Sequence, residues 1–462
     1  MRSLLGLCAY VLLGVSPASA APVVIEDVPG INWGSGMSSH YEAALYSVLT
    51  ALGCPVRYDE LMVASGSAFR TAWLPGHYQY YSRTVAPEDL IALGAKAFGA
   101  TATTRAFNTE EEAWPVICAS IDEGRPVILC HASAADVICG YDAEGKEIAL
   151  QVYDTSEPGY QTRPFKLLEG RTFRPREVIF VEYRTGDGAA ELDWPTILAR
   201  AVKYADWPPD KTLLRGFVFG LGAYDAWATT LRGGLDPDDP TYSSKFTVTY
   251  ALVLQDAREA ASVVLNDNAV LHDGFAEAAA HYMREAEILA TMRTTLAGGE
   301  TGAWQQVSET IDRRFPEPEI REAAAQVVEQ AKAEEVLAVD ALREALADLE
   351  VRLPEPKPPE PKQPGAIPRG GTEAGAAKGG EADYQRGVEL KRAGKFTEAA
   401  EALRAAIAAD PKHVEAHWVL GWVLIELKDR EGAKAEFGKV IELAPDTERA
   451  TEAKKALERL GD

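Results

Sequence analysis

Four residues of the chain have the types that nucleophilic acyl chemistry requires. Ser39 offers a hydroxyl, His40 and His131 offer imidazoles, and Asp154 offers a carboxylate. In a serine-type site the imidazole takes the hydroxyl proton and the carboxylate orients the imidazole. Ser39 would be the nucleophile, His131 or His40 the base, and Asp154 the group behind it. Their spacing is loose, and plainer roles exist for each. Ser38-Ser39 stands where a helix N-cap belongs, and His131, just past a strand-like run, suits a hydrogen-bonded turn. A second cluster, His272, Asp273, Glu277 and His281, puts Glu277 and His281 four apart on one helix face. A di-iron site needs a spacing of three on two helices, so no metal is expected. Asp236 to Pro240 lacks the glycine and spaced ligands of a calcium loop and suits a capping turn. No glycine-rich loop ends in Lys-Ser/Thr, and no cofactor is expected. Tyr78, Tyr80 and Tyr81 with Trp73 suit either a cleft lining or a loop covering the core.

These residues need elements to position them, and composition bounds what those are. The chain has 462 residues and a formal charge of −23, from 70 Asp and Glu against 47 Lys and Arg. That length suits two to four domains. The acidic balance excludes a phosphate-binding basic face, and with it nucleic-acid partners and adhesion to anionic membranes. Arg2, the apolar run Leu4 to Val15 and the small residues Ala18-Ser19-Ala20 have the order of a secretory signal peptide over residues 1–20. The run is too short to cross a bilayer, and no later segment is apolar enough, so the product is expected to be exported, periplasmic or extracellular, with no membrane span. Cys8 lies too close to Arg2 for a lipoprotein site. Cys54, Cys118, Cys130 and Cys139 remain, and spacing does not choose between buried thiols and bridges.

Residues 21–190 mix both periods. Tyr41–Leu52, Ala86–Phe98 and Glu110–Asp122 have helical patterns; Pro126–Cys130, Ala135–Gly140, Glu147–Tyr153 and Glu177–Tyr183 look like strands. Helices followed by an antiparallel sheet make an α+β domain. Residues 191–351 are helical throughout, in Thr212–Leu231, Thr247–Leu265, Phe275–Leu296 and Ile320–Val351. The last of these is long and rich in Ala and Glu, the composition of a projecting arm or coiled coil. Gly220 to Trp227 reads as a helix packing closely through glycines. Residues 352–380, Pro-, Gly-, Lys- and Glu-rich, form a linker.

Residues 381–462 contain an internal repeat. Gly387, Ala399, Ala406 and Pro411 are followed 34 residues later by Gly421, Ala433, Val440 and Pro445. This period and these small residues resemble the tetratricopeptide repeat. The two copies depart from it at the early core position usually held by Trp, where Asp383 and His417 stand. Gly394 also has no counterpart in the second copy. Thr447–Leu460 would close the module. The resemblance implies a protein or peptide ligand on the concave face of the first helices. Carried onto this chain, that face is Tyr384, Val388, Lys391 and Arg392 in the first copy and Trp418, Trp422, Ile425 and Glu426 in the second. Trp418 and Trp422, four apart, share a helix face. Two copies are fewer than an array usually needs, so docking on a neighbour or self-association is expected.

A further resemblance lies in the first domain. His40-Tyr41-Glu42-Ala43-Ala44-Leu45, Val48-Leu49 and Gly53 have the spacing of the first helix of papain-like cysteine peptidases. The nearest types are the double-glycine leader peptidases and the N-terminal domain of the butirosin-biosynthesis acyltransferase. Ser65 to Arg70, Gly124 to Leu129, Gly140-Tyr141-Asp142 and Asp154 extend it over about 150 residues. The resemblance implies a papain-like fold, but not its chemistry. His40 stands where the nucleophilic Cys belongs, Ala134 where the His belongs, and no Gln precedes them for an oxyanion hole. Only Asp154, in the place of the residue that orients the His, remains. The sequence therefore points to an exported bacterial scaffold: a degenerate papain-like α+β domain, an all-α middle domain and an all-α repeat module. The alternative is an acyltransferase or peptidase-type enzyme with an unusual nucleophile.

Overall fold

The computed structural model describes residues 22–31, 37–74, 89–107, 109–130, 135–152, 159–165, 176–183, 192–207, 217–233, 244–302, 304–353, 381–392 and 396–445, and near the end 450, 453, 454, 456 and 457. The chain forms two compact units, Met1–Pro361 and Lys362–Asp462. The expected signal peptide, the Asp236–Pro240 turn and the linker beyond Leu353 lie outside the described residues, and Leu353 itself packs on the helical core.

The first unit begins with β1 (Val23–Val24), α1 (His40–Ala51), α2 (Tyr58–Ser65), a 3-10 turn at Ser67–Phe69, β2 (Ala72–Trp73), α3 (Leu90–Ala97), β3 (Thr101–Phe107) and α4 (Glu110–Asp122). It continues with β4 (Val127–Cys130), β5 (Ala135–Asp142), β6 (Glu147–Gln151), β7 (Gln161–Pro164) and β8 (Arg176–Glu182). These elements start where capping chemistry allows. Asp89 accepts from the Ala92 amide at 3.1 Å, and Thr109 from that of Glu112 at 3.2 Å. Glu110, Glu111 and Glu112 then face the positive end of α4.

One antiparallel sheet runs β3-β8-β4-β5-β6-β7, with β1 beside β5. Alternation divides its core. Ile128, Cys130, Val137, Cys139 and Ile179 pack with α1, α2 and α3. Val127, Leu129, Ile138, Leu150 and Val178 pack with α4 on the other face. At Gly140 a Cβ would stand 2.5 Å from the Val23 carbonyl oxygen, so only glycine lets β1 lie against β5. All four described cysteines are free thiols. Burial pushes Cys139 up to about 11, far from a reactive thiolate.

The helices that follow are α5 (Trp194–Ala205), then after β9 (Val218–Phe219) α6 (Leu221–Gly233), α7 (Ser244–Asp267), α8 (Asp273–Ala290), α9 (Met292–Leu296), α10 (Trp304–Arg314) and α11 (Pro318–Asp348). α11 is not a projecting arm. It packs on α5, α6, α8 and α9, and buries a continuous stripe from Ile320 to Leu346. Its alanines are what permit that close approach, so the Ala-rich composition marks a central helix. Gly220, with φ +62° and its Cβ position 2.2 Å from the Tyr204 carbonyl oxygen, lets β9 turn into α6.

Sheet-side and helix-side segments share their core. Met62, Val63, Ala68 and Phe69 pack among α5, α7, α8 and α11. Trp73 is buried, stacked on Trp227 at 5.0 Å, and donates to Thr230 at 3.0 Å. It is a core residue, while Tyr78, Tyr80 and Tyr81 lie outside the described residues.

At the centre sits Arg258 of α7, with no exposed surface. Its guanidinium lies 3.1 Å from Glu285 of α8 and 2.8 Å from Glu335 of α11. It donates to the Ala68 carbonyl at 2.5 Å, to Thr71 at 2.7 Å and to the Tyr224 hydroxyl of α6 at 2.9 Å. Tyr224 in turn donates to Glu285 at 2.5 Å. Burial first, and the neighbouring Glu335, hold Glu285 well above the usual carboxylate range, against the pull of Arg258. Glu285 is thereby pushed toward its neutral form.

The second unit holds α12 (Glu381–Arg392), α13 (Phe396–Ala409), α14 (Val414–Glu426) and α15 (Arg430–Leu443). Its core is Ala399, Leu403, Leu420, Ala433, Phe437 and their neighbours. A Cβ on Gly387 would meet Leu403 at 2.5 Å, and one on Gly421 would meet Phe437 at 2.6 Å. The repeated glycines therefore admit the repeated large residues. Of the closing segment, Ala450, Ala453 and Ala456 are buried.

Candidate functional site

Ser39 and His40, two of the four candidate residues for nucleophilic chemistry, stand at the start of α1. Ser39 is the N-cap in backbone terms, its carbonyl accepting the Ala43 amide at 2.8 Å, but its side chain caps nothing. Its hydroxyl donates to Glu42, and the Ser67 hydroxyl donates to the other oxygen of the same carboxylate. Glu42 and Ser67 are buried. Among the described residues, the acceptor of the Ser39 hydroxyl is a carboxylate. His40, the next residue, is buried at the first position of α1. His131 and Asp154 lie outside the described residues.

A helix N-terminus favours an anion, and this one has its own. Asp256 of α7 accepts the Ser38 amide at 2.9 Å and the Tyr58 hydroxyl at 2.7 Å, both on Oδ2. Burial lifts Asp256 to about 7, opposed by those bonds. A side chain of α7 therefore takes the Ser38 amide just ahead of α1. A folded-state value above the unfolded one near 3.9 means that ionisation costs stability, progressively from about pH 4 to about pH 7. Asp256→Asn presents one carbonyl oxygen to both donors and does not ionise. Urea unfolding at about pH 5 and about pH 8 is expected to show the variant gaining on the wild type as pH rises. A variant that instead loses ground at the higher pH would show that the negative charge is needed there.

The two histidines considered for metal part company. His272 caps α8, its Nδ1 accepting the Gly274 amide at 3.0 Å, whereas His281 meets Glu334 of α11 at 2.7 Å. Among the described residues no group of three metal-ligating side chains converges, and no helix is long and apolar enough to cross a membrane.

The repeat offers a different surface. Trp418 and Trp422 of α14 meet edge to face, with ring centres 5.5 Å apart. Each also contacts Phe437, at 5.3 and 5.4 Å. Both indoles, with Ile425, are half-buried, and Glu426 is exposed. On α12, Tyr384 and Lys391 are half-buried, and the Tyr384 ring lies 4.6 Å from that of His413. The side chains of Val388 and Arg392 are outside the described residues. Phe437, locked beneath Gly421, fixes the two indoles, so part of each ring is anchored and part is open. Rigid aromatic surface of this kind loses little entropy on contact and suits anchoring an apolar side chain.

Sequence reading missed the Glu42–Ser67, Asp256–Tyr58 and Arg258 groups. The available signal was a charged residue inside an apolar helical stripe: Glu42 within Tyr41–Leu52, and Glu285 between Tyr282 and Leu289.

A family model of the tetratricopeptide repeat matches residues 390–459. No curated protein matches the chain significantly.

Proposed function

We propose that the protein is an exported scaffold that binds a protein or peptide on the α12/α14 face of its repeat module. The observation that carries this reading is the Trp418–Trp422 pair, half-buried and braced by Phe437. The repeat match supports it, because tetratricopeptide modules serve protein interaction. In this reading residues 21–190 are a papain-like domain without its chemistry, residues 191–351 a helical domain, and residues 352–380 a tether. Packing of α1 against β4 and β5 supports the fold part of this reading, and the engagement of the Ser39 hydroxyl by Glu42 supports the loss of its chemistry. Export rests on the N-terminal sequence, and Edman sequencing of protein recovered outside the cytoplasm is expected to begin at Ala21.

The binding test is a random peptide library displayed on phage and selected on the full chain. Selected peptides are then titrated against wild type and Trp422→Ala. Loss of an anchor is expected to cost about 2 kcal/mol, or roughly thirtyfold in Kd. Equal affinity for both proteins would sink this face as the site.

A further inference from the structure

His417 lies on α14, with a side chain only 6% exposed. Its Nδ1 is 2.6 Å from a carboxylate oxygen of Glu436 on α15. Its Nε2 is 3.1 Å from the carbonyl oxygen of Pro411, in the turn between α13 and α14. A carbonyl and an ionised carboxylate only accept hydrogen bonds. A neutral imidazole carries one N–H and the imidazolium carries two. Only the protonated ring satisfies both neighbours, and a neutral ring leaves a lone pair facing an acceptor in a buried place.

We propose that His417 is a proton-operated staple of the repeat module: protonated, it ties α15 and the α13–α14 turn to α14, and loss of the proton opens one tie and loosens the module. The balance of the surrounding groups has the same sign. Glu436 raises the imidazole above its ordinary value, burial opposes this, the Pro411 carbonyl adds to the rise, and Lys439 of α15 opposes it. Asp410 is turned to the Lys412 amide, at 3.1 Å. His413, one turn earlier, accepts the Ala416 amide on Nδ1 at 3.2 Å, and its ring rests on Tyr384 of α12. A raised folded-state value means that the stabilisation is complete below the ordinary imidazole value, near 6.5, and is lost as pH climbs through the raised one. Trp418 is the next residue of α14, so the staple and the aromatic pair share one helix.

Amide hydrogen exchange on the full chain, from about pH 6 to about pH 8.5 and corrected for intrinsic rates, tests this. Amides of α14 and α15 are expected to lose protection by up to about tenfold per pH unit above the ordinary imidazole value, the limit for one proton. Amides of α13 and α15 that face away from the staple share this slope if the module opens as one body. Glu436→Gln is expected to move the loss to lower pH, and His417→Phe to remove it. If His417→Phe does not fold, ¹³C-histidine NMR of the wild type decides: the His417 ring must titrate above the ordinary value. A ring titrating at or below it, or a protection slope indifferent to Glu436→Gln, would overturn the proposal.

Discussion

Arg258→Met is expected to destabilise the first unit by about 3–5 kcal/mol, because it strips the counter-charge from a buried cluster. The guanidinium serves five partners at once: Glu285, Glu335, Ala68, Thr71 and Tyr224. Methionine fills the volume but offers none of them a hydrogen, so each is left buried with a bond missing. Glu285→Gln is the contrasting case. Burial pushes the Glu285 carboxyl toward its neutral form, and the amide is the isostere of that form, so a loss of no more than about 1 kcal/mol is expected. Replacing Arg258, Glu285 and Glu335 together by apolar residues of similar volume should recover most of the loss, as removal of a whole buried ion cluster often does. Guanidinium unfolding followed by fluorescence of the Trp73–Trp227 stack reads all three. An unchanged midpoint for Arg258→Met would remove this cluster as the junction of the unit.

The second large effect lies in the repeat. Phe437→Ala is expected to cost the module about 3–5 kcal/mol. Phe437 has no exposed surface and braces both tryptophans of the face. The informative partner is Gly421. Its Cβ position lies 2.6 Å from the Phe437 ring, so Gly421→Ala alone should cost about 1–3 kcal/mol by overpacking. In the Phe437→Ala background the obstruction is gone. The same substitution should then gain up to about 1 kcal/mol from helix propensity. A change of sign across the double-mutant cycle is the signature of glycine and phenylalanine fitting as one unit. Additive effects would contradict it. Indole fluorescence with and without Trp422→Phe assigns the transition to the module.

Regular elements with a clear period were legible in the sequence. Glu110–Asp122 is α4 as read, Pro126–Cys130 contains β4, and Thr247–Leu265 lies inside α7. The repeat was legible because its glycines and large residues recur at fixed distance. What escaped has physical reasons. β3, Thr-Ala-Thr-Thr-Arg-Ala-Phe, is an edge strand with most side chains exposed, so it shows no apolar alternation. α2 is short, and its buried Met62 and Val63 pack on elements more than a hundred positions later, which no local pattern signals. The start of α1 agrees with its helical pattern, but Asp256, which accepts the Ser38 amide there, is hidden by sequence distance. The N-cap expectation at Ser39 was right for the backbone and missed that Glu42 would take the hydroxyl.

Chain order adds a consequence that the finished structure conceals. β8 lies between β3 and β4, so the strand that joins them is made long after both. The Ala68 carbonyl waits for Arg258, 190 positions further on, roughly 10–40 s of synthesis at ordinary rates. The α11 glutamate arrives later still. A nascent chain therefore emerges with its sheet gapped and the Ser67–Trp73 segment without its helical cover, and closure comes in one late event. Under the export proposed above, such a delay would help the chain to stay unfolded until it has left its compartment of origin.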